Sequence, residues 1–287
     1  MSKIYYELIC QNDKTELREE LRRQLSRRFY KNLKHQKAQY FVNNKQTQLY
    51  MLINKDDKIL IEYEPTTSDN WPLYESKLDI LYEDEHYLVV NKRAGLLTIP
   101  TKAEPRSLYQ EAMYYLKQSN QDKQVSIINR LDKETSGLVV IAKDRLAAYY
   151  LQPTHEKMIR KYKCLCHGIF IKDHDIIQNN IDKMPESNLR YVSSNSGKIS
   201  ISEYNVLKRF SDTTLVEFIL QTGRTHQIRV HCQSICHPIV GDNMYGIDNN
   251  MKLHLCSYYV EFVNKFTNKL VKISIESGWE NGRDEWI

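Results

Sequence analysis

One carboxylate stands out by its setting. Asp132 lies in the stretch Asn129-Arg130-Leu131-Asp132-Lys133-Glu134-Thr135-Ser136-Gly137, between two apolar runs at 126–128 and 138–142. Thr, Ser and Gly supply local hydrogen bonds and a tight turn, and loops held between strands are where catalytic side chains concentrate. A carboxylate so placed can act as a nucleophile or a base. The same residues also make an ordinary surface turn, and spacing alone does not separate the two readings. A second polar group follows in Gly223-Arg224-Thr225-His226-Gln227-Ile228-Arg229-Val230-His231. It is expected to form an amphipathic helix capped by Thr225, with Ile228 and Cys232 turned inward and the histidines serving as hydrogen bonders. His226 and His231 are five residues apart, so they do not share a helical face as a metal pair would.

Other chemistries find little support. No Gly-rich phosphate loop is present. The six cysteines, Cys10, Cys164, Cys166, Cys232, Cys236 and Cys256, are scattered through apolar segments without zinc-knuckle spacing and are expected to be reduced packing residues. No metal and no cofactor are therefore expected.

The elements that position Asp132 follow from periodicity. Strand-like runs recur at 80–82, 87–90, 126–128, 138–142, 162–166, 201–207, 215–220 and 271–275, with helices expected at 107–117, 144–152 and 225–235. The segment 173–187 is polar and aperiodic and is expected to be a surface loop. This pattern predicts an α+β domain with a mixed, mainly antiparallel sheet. Ahead of it, Leu17, Leu21, Leu25, Phe29 and Leu33 recur every four residues, which suits two short helices meeting near Ser26. Strands at 40–42, 49–53 and 58–63 complete a small unit. A turn-rich stretch from Pro65 to Pro72 marks the linker, so the expected division is 1–65, 66–76 and 77–287.

The 287 residues carry a formal charge of +5, and 18–37 holds eight Lys or Arg against Glu19 and Glu20. That concentration is an electrostatic footprint for phosphate, with Arg27 and Arg28 at its centre. The longest apolar run, 138–142, is too short to span a bilayer, and no signal-type stretch opens the chain, so a cytoplasmic protein is expected.

The stretch around Asp132 strongly resembles the RluA-type family of RNA pseudouridine synthases, whose hallmark is His-Arg-Leu-Asp-x-x-Thr-Ser-Gly; the departure is Asn129 in place of His. Asn91-Lys92-x-x-Gly95, Lys161-Tyr162 with Gly168, the 223–231 motif, His237 to Asp242, Tyr245-Gly246 and Leu253-His254 agree in order. The resemblance implies a pseudouridine synthase fold and a set of roles. Asp132 matches the essential Asp, Tyr162 the Tyr lying over the base, and Arg229 the Arg paired with the carboxylate. Arg130 matches the Arg that fills the space of the extruded nucleotide, and Leu253 the apolar residue beneath the site. The first unit resembles, more loosely, the small S4-like α/β RNA-binding domain. Isomerising uridine requires neither redox change nor energy input, and a carboxylate supports either a covalent sugar adduct or a glycal intermediate. The expected partner of a monomeric enzyme is structured RNA, most simply large-subunit ribosomal RNA, with tRNA as the alternative. A catalytically silent assembly factor and an N-glycosidase acting at the same sugar carbon are the competing functions.

Overall fold

The computed structural model describes residues 4–25, 29–31, 33, 37–63, 72–119, 121, 123–151, 158–184, 191–194, 196–248 and 251–279. It divides into two compact units, 1–70 and 71–287.

The first unit opens on a strand that the periodicity did not reveal, β1 (Ile4–Ile9). It pairs antiparallel with β6 (Lys58–Tyr63), which pairs in turn with β3 (Gln39–Val42), and β4 (Lys45–Thr47) closes the sheet. A short pairing of β2 (Thr15–Glu16) with β5 (Leu52–Ile53) leads into α1 (Leu17–Gln24). The four-residue spacing works as expected: Leu17, Leu21, Leu25 and Leu33 are buried, each contributing roughly 1.5–3 kcal/mol by leaving water. Phe29 meets Tyr6 and Tyr63 edge-on. Asn43 and Asn44 both adopt positive φ, 49° and 66°, as a two-residue hairpin requires. Ser26, Arg27 and Arg28 lie outside the described residues.

The second unit is built on one mixed sheet, and its class is the α+β arrangement expected. The main path runs through β13 (Tyr191–Ser194), β12 (His174–Lys183), β14 (Lys198–Arg209), β15 (Thr213–Leu220), β11 (Ile159–His167), β16 (Leu255–Asn264), β10 (Ser136–Ala142), β8 (Tyr87–Lys92) and β7 (Ile80–Glu83). β17 (Lys269–Ser274) joins β16, and β9 (Ser126–Ile127) joins β10. Among the described pairings, β10 with β16 is parallel and the others are antiparallel. Two expectations fail. The segment 173–187, expected as a loop, contains the ten-residue strand β12, whose polar outward side chains hid it: only Ile177 and Ile181 are buried there. β16, not among the expected strands, lies in the middle of the sheet; Leu255, Cys256 and Ser257 are all buried, and alternation between half-buried and buried residues begins only at Tyr259. The helices α2 (Leu108–Gln118), α3 (Arg145–Tyr150) and α4 (Gln227–Ser234) fall inside or within a residue of the expected windows. Leu108, Ala112 and Leu116 of α2, with Ile228 and Cys232 of α4, pack with Val139, Ile141, Tyr162 and Phe218 in the main core.

Candidate active site

The loop between β9 and β10 carries Asp132, and it is fastened along both sides. On the entering side, Asn129 is fully engaged: its amide nitrogen donates to the Leu138 carbonyl at 3.0 Å, and its oxygen accepts from the Val140 amide at 2.8 Å. Asn129 thus clips the start of the loop to the strand that leaves it. A carboxamide supplies the donor and the acceptor together, with no charge. Next, Thr98 brackets Leu131, its hydroxyl donating to the Leu131 carbonyl at 2.6 Å and accepting from the Leu131 amide at 3.1 Å. Lys92, only 1% exposed, points its ammonium at the carbonyls of Arg93, Leu96 and Lys133, and the Gly95 amide also donates to Lys133. Burial pulls the Lys92 ammonium down to about 8, against the opposing charges of Glu134 and Asp132.

Beyond Asp132 the chain enters β10 at Gly137. Its φ of +110° is one that L side chains rarely adopt, and a Cβ there would overlap the backbone of Ser257 on β16. Ser257 is also the register partner of Tyr162 on β11. One residue of β16 therefore separates the end of the Asp132 loop from Tyr162. Tyr162 is 5% exposed and shares its core cluster with Leu131, Ile228 and Leu253. Burial pushes its phenol above the usual range.

The third side of the site is α4 and the turn after it. His226, not Thr225, is the residue before the helix, and it sits in the left-handed region at φ 56°, ψ 21°. The turn is held instead by the Gln227 side chain, which accepts from Thr222 Oγ1 and the Arg224 amide and donates to Ile201 and Ser202. This geometry aims two side chains at Asp132. Arg229 Nη1 lies 3.9 Å from Asp132 Oδ2, and His226 Nε2 lies 3.8 Å from the same oxygen. The Asp132 side chain stays 28% exposed, open to a substrate.

The resemblance pairs Arg229 with Asp132, and the structure keeps them 3.9 Å apart while the hydrogen bonds of Arg229 go to Asp242. Its Nε and Nη2 donate to Asp242 at 2.8 and 2.7 Å, a two-pronged pair in which Asp242 is buried. Burial alone would raise the Asp242 carboxyl, but the Arg229 hydrogen bonds and charge, with the amides of Tyr245 and Met244, hold it below the usual range. The Tyr245 ring lies under the guanidinium at 5.0 Å, and its hydroxyl meets His226 Nδ1 at 2.8 Å. Asp242 is reached through Gly241, whose φ of +76° lets the turn lie against Lys252 where a Cβ would overlap its carbonyl. The structure thus adds His226, Asp242 and Tyr245 to the expected set. Their signal was present in the ordered motifs, but pairing them needs the fold.

Of the remaining expected residues, Arg130 is exposed beside Asp132, and Leu253 is buried in the core with Tyr162. Arg27 and Arg28 lie outside the described residues. Cys164, Cys166 and Cys232 bring their sulfurs within 4.8 Å of one another, with separations of 3.5 and 3.7 Å. They could hold a soft ion, although three sulfurs are one fewer than a structural zinc site uses. Cys236 is exposed and stands apart from this cluster.

His231 departs from the hydrogen-bonding role expected of it. It is fully buried, and among the described residues neither ring nitrogen has a hydrogen-bond partner. Burial lowers its pKa to about 4, below the ordinary 6.5. A group depressed in the folded state contributes stability that is complete above the unfolded pKa and is lost as pH falls through the folded one. Between pH 7 and 4 the protein is therefore expected to lose about 3 kcal/mol that a His231→Leu variant keeps. Urea denaturation of both proteins across that range measures the difference, and parallel pH curves would contradict it.

Comparison with known proteins agrees with this geometry. Residues 86–234 match the RNA pseudouridylate synthase family model. The uncharacterized RNA pseudouridine synthase YhcT of Bacillus subtilis is 31% identical over 80% of this chain and 78% of its own length. Ribosomal large subunit pseudouridine synthase D of Pseudomonas aeruginosa is 33% identical over 68% of this chain and 62% of its own. The solved structure of human RNA pseudouridylate synthase domain containing 1 shares the fold, with a TM-score of 0.60 at 24% identity over 71% of this chain and 85% of that one. A buried core that presents Asp132 beside Arg229, within a segment that matches the family model, places this chain in the RNA pseudouridylate synthase family.

Proposed function

We propose that the chain isomerises uridine to pseudouridine in large-subunit ribosomal RNA, with Asp132 as the catalytic carboxylate. The observation that carries this reading is the open Asp132 carboxylate on a loop clamped from both sides, with the Arg229 guanidinium near one of its oxygens. The ribosomal substrate is supported by the name of the Pseudomonas relative. Asp132 acts at the ribose, either attacking C1′ or removing a sugar proton, and Arg229 favours its charged form. Tyr162 lies over the base, with Leu253 beneath the site. Arg130, exposed next to Asp132, fills the space that the extruded uridine leaves, offsetting part of an unstacking cost of roughly a few kcal/mol. The assay is tritium release from ribosomal RNA carrying C5-labelled uridine, with mass analysis for pseudouridine. Release without abasic sites is expected; no release from any cellular RNA would overturn the reading.

The first unit, in this reading, is an S4-like RNA-binding domain that grips phosphates. Arg18, Arg22 and Arg23 of α1 are about half exposed. Reversing the charges of Arg27 and Arg28 together is expected to weaken RNA affinity and to lower the salt slope by roughly one unit for each phosphate that is no longer neutralised. Filter binding across a salt series reads both, and an unchanged slope would remove these residues from the interface.

A further inference from the structure

The isomerisation ends with the loss of a proton from C5 of the base. At that moment C5 is bonded to C1′, the sugar carbon beside Asp132. A group that accepts this proton therefore has to sit within a few ångströms of the Asp132 carboxylate. Among the described residues, two basic side chains form ion-pair contacts within 4 Å of Oδ2, Arg229 and His226. A guanidinium stays protonated and accepts nothing. Tyr162 is buried, its phenol pushed further from ionising at neutral pH. Resting on the reading of this site as a pseudouridine synthase, we propose that His226 is the base that removes the C5 proton.

The surroundings of His226 suit the role. Nδ1 lies 2.8 Å from Tyr245 Oη, which also accepts from the Tyr191 amide at 2.8 Å. The role assigns the ring proton to Nδ1, donating to that oxygen, which leaves the free electron pair on Nε2, the nitrogen that faces Asp132. The Tyr191 and Tyr245 rings both meet the imidazole edge-on at 5.5 Å. Asp132, Arg229 and Asp242 are the charged groups that act on it. Burial lowers the imidazole below its ordinary pKa, outweighing the Asp132 charge, and so favours the neutral form that can accept a proton. The left-handed backbone at His226 is what turns Nε2 inward at the start of α4, and a non-glycine residue held there is the type of local strain found at functional sites.

The step balances without a further reactant. When C5 joins C1′, the ring holds an N1=C6 double bond and C5 carries both its hydrogen and the ribose. Nε2 takes the proton from C5. The C–H electron pair becomes the C5=C6 bond, and the N1=C6 π pair moves to N1, which takes a proton from the imidazolium or from water. His226 returns to neutral, and the C5 hydrogen exchanges with solvent.

The test uses the full chain and ribosomal RNA transcribed with either ordinary or 5-deuterated uridine. His226→Asn is the chosen variant, because Asn tolerates positive φ and lacks a basic nitrogen. The unaltered enzyme is expected to form pseudouridine at equal rates from both RNAs. The Asn variant should be slower by roughly 100-fold or more, and slower again on the deuterated RNA, since C5 deprotonation then limits the rate. A rate loss without isotope sensitivity would assign His226 a structural part and overturn the proposal, as would full activity. His226→Gly offers a second route if the Asn protein fails to fold: added imidazole should restore its rate, and no restoration would count against the proposal. Absence of product from the unaltered enzyme would instead overturn the functional reading itself.

Discussion

Asp132→Asn is expected to lower pseudouridine formation by at least about 10⁴-fold while RNA affinity changes little, since removing one member of a catalytic unit can cost as much as removing the whole. The amide has nearly the shape of the carboxylate, and the fastenings of the loop do not use the Asp132 side chain: they run through Asn129, Thr98, Lys92 and Gly95 to neighbouring backbone atoms. The Asn variant keeps the geometry and loses the charge, and with it both the nucleophile and the base. Single-turnover assays with RNA binding measured in parallel distinguish this from misfolding. Retention of a tenth of the activity would remove Asp132 from its assigned role.

Asp242→Ala is expected to cost about 3–5 kcal/mol of stability, the range for breaking a buried ion pair by deleting one partner. The deletion strands the Arg229 guanidinium, 7% exposed, without its two-pronged acceptor, and frees the amides of Met244 and Tyr245 that Asp242 Oδ1 also receives. Urea denaturation at pH 7 reads the loss. The companion change Arg229→Met with Asp242→Leu should recover much of that stability while remaining inactive, because an apolar pair of similar volume avoids the stranded charge but offers nothing to Asp132. A double variant no more stable than Asp242→Ala would show that the pair holds the fold rather than tuning the site.

Much of this arrangement was legible in the chain. Leu17 to Leu33 marked the helical part of the first unit, and the half-buried run before 129 with the fully buried run 138–142 after it placed Asp132 on a loop between strands. What escaped had physical causes. β12 is solvated along most of its outer face, so its residues look like loop. Thr225 has the side chain of a helix cap, yet Gln227 caps from inside the helix and leaves His226 to absorb the turn. The motifs pair Arg229 with Asp132, and only the fold shows that Asp242, thirteen residues further on, takes its stronger hydrogen bonds. Asn129, without explanation at the level of sequence, proves to be a backbone clip whose two polar atoms are both used.

β16 lies between β10, which receives the Asp132 loop, and β11, which carries Tyr162. It is synthesised after both of them. Until residue 264 has emerged, β10 and β11 each present an unpaired edge where the completed domain has its centre, and the strand that spaces the two halves of the site is missing. Until then the domain has no assembled site, and its open strand edges invite pairing with other chains. Its final long-range closure, more than a hundred residues across in the β10 to β16 pairing, is expected to set the folding rate of the domain.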